Sequence, residues 1–150
     1  MEIRAVPYDH PDAELLIAEV QAEYVIRYGG HDSTRVHPDE FAPPRGLFLV
    51  GYVDGAPVAS GGWRAHGDGS AEIKRMYVVP SARGKGFARQ MLAELELTAK
   101  RAGQHRIILE TGSKQPEAAA LYRSSGYTEV PAFGFYAEYP SALHLGKSLG

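Results

Sequence analysis

Two stretches of the chain place apolar residues at helical spacing. Ala13, Leu16, Ile17, Val20 and Tyr24 share one face of a helix that starts at Pro11, takes Asp9 or His10 as its cap, and ends at Gly29-Gly30. Ala88, Met91, Leu92, Leu95 and Ala99 share a second face. Lys100 and Arg101 suit the negative end of that helix, and Gly103 suits its C-terminal turn. A short third helix is expected over 117–124, behind Pro116. Strand-like runs cover 1–6, 47–53, 58–65, 71–79, 106–111, 127–130 and about 136–147. Asp54-Gly55 is a two-residue hairpin signal, and Gly67-Asp68-Gly69 marks the next turn. The predicted order is β-α-β-β-β-α-β-α-β-β, a mixed α/β layer fold. Residues 29–46 form a loop rich in Gly, Pro and charge, too long to be mere connection.

Composition narrows the classes. At 150 residues the chain suits one domain spanning 1–150, with no repeat or linker. The absence of cysteine excludes disulfide scaffolds, thiolate-bound zinc and thiol nucleophiles. A formal net charge of -2 disfavours a general nucleic-acid binder. The six histidines show no ligand spacing, so no metal site is expected. No run is long and apolar enough for a membrane span, and no secretory signal is visible, so a cytoplasmic protein is the expectation.

Residues 73–93 contradict the acidic average. They carry Lys74, Arg75, Arg83, Lys85 and Arg89 and no acidic residue. The core of this segment, Arg83-Gly84-Lys85-Gly86-Phe87-Ala88, lies between a predicted strand and a predicted helix. A helix start offers unpaired N–H groups and partial positive charge, and glycines let a ligand approach the backbone. That arrangement suits a pyrophosphate; a solvated basic cap is the plainer alternative. A Walker A loop is excluded by Val79 and Gly86, and the dinucleotide fingerprint by Arg89.

Arg83-x-x-Gly86-x-Ala88 resembles the acyl-CoA pyrophosphate motif of the GNAT N-acetyltransferase superfamily, Q/R-x-x-G-x-G/A. Arg75-Met76-Tyr77-Val78-Val79-Pro80 resembles the strand that leads into it. A second block, Gln115-x-x-Ala118-x-x-Leu121-Tyr122-x-x-x-Gly126-Tyr127, matches at the family's distance, with Gln115 where Asn is usual. The resemblance implies a mostly antiparallel twisted sheet flanked by helices on both faces, with acetyl-CoA as cosubstrate. It implies that the backbones of Met76, Tyr77 and Val78 pair with pantetheine, and that Arg83, Gly84, Lys85, Gly86, Phe87 and Ala88 hold the pyrophosphate. Gln115, Ala118 and Tyr122 complete the cofactor side.

The implied reaction moves an acetyl group directly to a primary amine, here expected on a small molecule. Tyr122 resembles the family tyrosine that donates to the leaving thiolate, against a plain reading as a core tyrosine. Glu72, on the strand ahead of the loop, is the candidate base; the alternative is a carboxylate paired with a neighbouring cation. Tyr24, Arg27, Tyr28, His31, Trp63, Arg75 and Glu110 are candidates for the acceptor side, with Phe135 and Tyr136 beside them; each has a packing or surface reading as well. A protein N-terminus or lysine is the alternative acceptor, and a non-catalytic acyl-CoA-binding regulatory domain the alternative role. The family often pairs through its C-terminal strands, which allows a homodimer.

Overall fold

The computed structural model describes residues 1–150 and follows the predicted order. The elements are β1 (Glu2–Ala5), α1 (Pro11–Tyr28), β2 (Gly46–Val53), β3 (Ala56–Ala65), β4 (Ser70–Val78), α2 (Phe87–Arg101), β5 (Arg106–Gly112), α3 (Pro116–Ser124), β6 (Thr128–Glu129) and β7 (Ala142–Ser148). Local chemistry explains the boundaries. His10 caps α1, its Nδ1 accepting from the Asp12 N–H at 3.0 Å. Asp54 and Gly55 both adopt positive φ, 51° and 79°, as a two-residue hairpin of this hand requires. Past α2, Gly103 turns left-handed at φ 92°, and the N–H groups of Gly103 and Gln104 close back onto Lys100 and Ala99.

The seven strands form one sheet in the order β1-β2-β3-β4-β5-β7-β6. Only β4 and β5 run parallel; every other pair is antiparallel. The face under α2 and α3 is sealed by Trp63, Met91, Leu92, Leu95, Leu109 and Tyr122. The face under α1 is sealed by Leu16, Val20, Phe41, Phe48 and Tyr77. No helix is long and apolar enough to cross a membrane.

Two stretches depart from the expected pattern. The predicted strand over 136–147 begins only at Ala142. Before it, Gly134 (φ 72°) and a run of turns carry the chain, because Phe135, Tyr136 and Tyr139 stack on one another instead of alternating, and Pro140 offers no N–H to a ladder. The 29–46 loop contains one 3-10 turn, Pro38–Phe41, which buries Phe41 against Tyr8 and Phe48.

Two irregularities shape the centre of the sheet. Lys74 faces Gly62 while Tyr77 faces Ser60, so β4 carries one extra residue. Arg75 absorbs it with φ 61°, and the Ser60 hydroxyl donates to its carbonyl at 2.9 Å. The bulge reverses parity. Ahead of it, Ala71 and Ile73 point toward α2, which sends Glu72 and Lys74 to the α1 side; beyond it, Tyr77 points toward α1. The second irregularity is that β4 and β5 pair only from Ser70–Glu72 to Arg106–Ile108 and then diverge.

Gly62 tests the packing around the bulge. A Cβ there would stand 2.7 Å from the Phe48 ring and 2.8 Å from Phe41, both buried. Overpacking of this kind costs about 1–3 kcal/mol. Gly62→Ala is expected to lower the thermal midpoint by several degrees, read by calorimetry or circular dichroism.

Candidate functional site

A cavity of about 550 Å³ occupies the wedge where β4 and β5 part. Its walls come from the end of α1 and the following loop, from β4 and β5, from α3, and from the turns ahead of β7. Of the predicted residues, Met76, Gln115, Ala118 and Tyr122 line it on the cofactor side. Tyr24, Tyr28, His31, Arg75 and Glu110 line it as well, together with Phe135 and Tyr136.

Tyr122 is 6% exposed and packs against Tyr127, with ring centroids 5.7 Å apart. Burial pushes its phenol well above the usual tyrosine range, and its hydroxyl has no hydrogen-bond partner within the chain. Tyr24 is raised in the same way, first by burial and then by the Asp32 charge. Gln115 accepts a hydrogen bond from the Tyr28 hydroxyl at 3.2 Å, which ties α1 to the start of α3 across one end of the cavity.

The strand edge beside the cavity is open. The Val79 N–H donates to Val58 at 2.9 Å, so antiparallel alternation turns the Val78 N–H away from β3, toward the side where β5 has left. The Tyr77 side chain points the other way, to Glu19 at 3.3 Å. Farther along, Gly84 and Gly86 take positive φ of 80° and 81° and lead into α2. Gly86, Phe87, Ala88 and Arg89 present backbone N–H groups with no acceptor in the chain. Lys85 stands exposed beside them. This is the geometry of an anion cradle. The Arg83 side chain is engaged elsewhere. It donates to the Val78 carbonyl at 2.9 Å and to Glu23 at 2.8 Å, and lies over the Tyr77 ring. It braces the loop from below.

Tyr77, Val78 and the Arg83–Ala88 loop lie outside the cavity lining, and so do three of the catalytic and acceptor-side candidates. Trp63 is 2% exposed on the opposite face of the sheet, under α2, where its indole donates to Thr98 at 3.1 Å. Its position on β3 ahead of the bulge turns it away from the α1 side. Arg27 is a tether: it pairs with Glu117 at 2.6 Å and Glu23 at 3.0 Å and donates to the Lys114 carbonyl. Glu72 is 3% exposed, and its Oε1 is held by Arg64 at 3.0 Å and by His66 at 2.8 Å. Burial alone would raise its carboxyl, but the His66 hydrogen bond and the charges of Lys74 and Arg64 bring it below the ordinary glutamate value. This carboxylate lies off the cavity wall and is paired with Arg64 and His66, the arrangement of the ion-pair alternative.

Glu110 on β5 is one of two carboxylates that do line the cavity. Its Oε1 lies 3.4 Å from both Lys74 Nζ and Thr34 Oγ1. Its Oε2 is buried without a hydrogen-bond partner, 3.6 Å from an equally unpartnered His144 Nε2. Burial raises the Glu110 carboxyl, Lys74 opposes the rise, and the charges of Glu72 and Asp32 add to it.

Asp32, Lys74, Lys114 and Tyr139 line the cavity without having been assigned to the site from the sequence, and Asp32 matters most among them. It lines the cavity from the long loop and holds Lys74 at 2.6 Å and Arg75 at 2.7 Å. Burial would raise its carboxyl, but the charge and hydrogen bond of Lys74 outweigh that and hold it far below the usual range. The signal available was an acid two residues behind Gly29-Gly30, with two adjacent cations on a strand elsewhere.

With the site described, comparison with known proteins gives its family. The model of the acetyltransferase (GNAT) family matches residues 14–127. An IAA acetyltransferase of Azospirillum brasilense is 38% identical over 109 residues, covering 72% of this chain and 71% of that protein. A candidate acyl-CoA N-acyltransferase from Klebsiella pneumoniae subsp. pneumoniae MGH 78578 superposes with a TM-score of 0.84 at 28% identity, over 99% of this chain and 97% of that one. An aminoglycoside 6'-N-acetyltransferase, solved with coenzyme A, shares the fold at 14% identity and a TM-score of 0.75, over 100% and 98% of the two chains. The chain belongs to the acetyltransferase (GNAT) family and is an acyltransferase.

Proposed function

We propose that the chain transfers an acetyl group from acetyl-CoA directly to the primary amine of a small molecule. The observation that carries this reading is that one cavity meets the open edge of β4 at Met76 and is lined by Tyr122, whose hydroxyl is unpartnered. The free N–H groups at the start of α2 add a place for phosphate close by in the chain. Acetyl-CoA is the cosubstrate, as the family implies and as the coenzyme A complex of the aminoglycoside enzyme supports.

The residues divide the work as follows. Gly84 to Ala88 take the pyrophosphate on backbone N–H groups, with Lys85 adding charge. Met76 offers its edge groups to the pantetheine, as an added strand would use them. The Val78 N–H is the donor for the carbonyl oxygen on which negative charge develops. Glu110 takes over the role expected of Glu72. Its carboxylate, on the cavity wall and weakly paired, accepts a proton from the acceptor ammonium, which is not nucleophilic until it loses one. The amine lone pair then forms the C–N bond, the C–S bond breaks, and Tyr122 donates its proton to the departing thiolate. The tyrosine recovers that proton from the nitrogen of the new amide. Burial keeps Tyr122 protonated at neutral pH, as a donor must be. The chain has no cysteine to act as an acyl carrier, which fits direct transfer.

Three outcomes follow from this reading. Acetyl-CoA at about 100 times its Kd should stabilise the native state by about 2.7 kcal/mol, seen as a rise in thermal midpoint that ATP and NAD do not give. Because the protein has no thiol of its own, a thiol reagent then reports only released coenzyme A; amines that release none would remove the enzymatic reading. Tyr122→Phe should lower kcat by about 10²-fold or more while leaving acetyl-CoA binding nearly intact, in the range of a lost proton donor. Glu110→Gln should lower kcat comparably and abolish its acid limb. In the parent protein, kcat rises as pH passes upward through the elevated Glu110 value, because only the carboxylate accepts the proton. An acid limb that survives Glu110→Gln would assign the base elsewhere.

A further inference from the structure

The acceptor end of the cavity has a chemical character of its own. Phe135 and Tyr139 are 52% and 49% exposed, unusual for large rings, and both line the cavity. With Tyr136 between them they form a stack with centroids 4.9, 5.1 and 5.9 Å apart. The stack is anchored where it meets the long loop, since the Ser33 N–H donates to the Tyr136 hydroxyl at 2.7 Å. From α1, Tyr24 and Tyr28 add a second pair of rings to the lining, 6.4 Å apart.

The charges in the same cavity set a limit on the ligand. Lys74, Arg75 and Lys114 line it, against Asp32 and Glu110. Asp32 is saturated by Lys74 and Arg75. The Glu110 Oε1 is shared with Lys74 and Thr34. The Glu110 carboxylate, whose contacts to Lys74 and Thr34 are long and whose buried Oε2 lies 3.6 Å from His144, is the one acid left without a close cation to meet an ammonium. A second ammonium would find Arg75 or Lys114 and no free acid.

We infer that the acceptor is a monoamine carrying an aromatic ring, with the ring placed among Phe135, Tyr139 and the α1 tyrosines and the amine at Glu110. This rests on the acetyl-transfer reading above and adds the acceptor class. Aromatic pairs in offset or edge-to-face geometry gain more than their buried area alone, which favours a flat ring over an alkyl chain at these walls. A polyamine is opposed by the charge balance, although aromatic walls by themselves would accept a cation.

The test compares kcat/KM for 2-phenylethylamine, n-propylamine and spermidine, by thiol release at saturating acetyl-CoA. The phenyl compound should exceed propylamine by about 10-fold or more, the scale of a filled apolar pocket, and should exceed spermidine. In Phe135→Ala the ratio of phenylethylamine to propylamine should collapse toward unity, and in Tyr139→Ala it should fall in the same direction. Both residues are half exposed, so the variants should retain the parent's acetyl-CoA-induced thermal shift, which checks folding separately. A propylamine value equal to phenylethylamine, a spermidine value above both, or an unchanged ratio in both variants overturns the inference and leaves acetyl transfer standing. Absence of thiol release with every amine, in protein that binds acetyl-CoA, overturns the transfer reading and this inference with it.

Discussion

Asp32 holds Lys74 and Arg75 at once, and much of the site is arranged around that contact. The two cations are neighbours in sequence, so on a regular strand they would point to opposite faces. The bulge removes that constraint by placing Arg75 at positive φ, which lets both side chains reach one carboxylate on the α1 side. A non-glycine residue at such a φ is uncommon and is held only when its surroundings over-determine it. Here the Ser60 hydroxyl, the Tyr8 hydroxyl and Asp32 all fix Arg75. Removing one partner of a buried ion pair costs about 3–5 kcal/mol, because the other charge is left uncompensated. The loop that carries Asp32 is therefore fastened to the strand that offers the cofactor edge.

The same bulge explains how one strand serves two purposes. Its first half, paired on both sides, supplies Glu72 to a buried ion pair with Arg64 and His66. Its second half has lost β5 as a neighbour and keeps an unpaired edge. Unpaired strand edges invite another chain unless something occupies or protects them. Here the edge opens on a cavity at Met76, and Arg83 covers the Val78 carbonyl at its end. The glycines that follow then place the positive end of α2 at the exit of the strand.

Much of this was legible in the sequence, for identifiable reasons. Period and punctuation specified the elements: the Pro11 start, the Asp54-Gly55 hairpin and the Gly103 stop all act locally. The glycines before α2 were legible because a helix start that approaches an anion needs them, whereas the block around Tyr122 stood out only through its resemblance to the family motif. Roles that depend on which face a strand presents were not. Trp63 went to the α2 core, and the parity change at Arg75 had no marker, since arginine is not a residue that announces positive φ. The false strand over 136–141 has a related cause: clustered aromatics suit strands, and only mutual stacking together with Pro140 decides otherwise.

Glu72 and Glu110 show why the base could not be chosen by position alone. Glu72 is buried and Glu110 partly buried, on adjacent parallel strands, and each lies within reach of a cation and a histidine. Their neighbours differ in quality of contact. Glu72 receives well-formed hydrogen bonds from Arg64 and His66, which favour the charged form and lower its proton affinity. Glu110 has one long contact to Lys74, a 3.6 Å gap to His144 and an oxygen with nothing bound, so burial dominates and its proton affinity rises. A paired carboxylate stabilises the sheet and has little use for a proton; an underpaired one on a cavity wall has use for one. The division follows from where β4 and β5 part: Glu72 lies where they are still paired, and Glu110 lies beyond the last paired residue, where the wedge has opened.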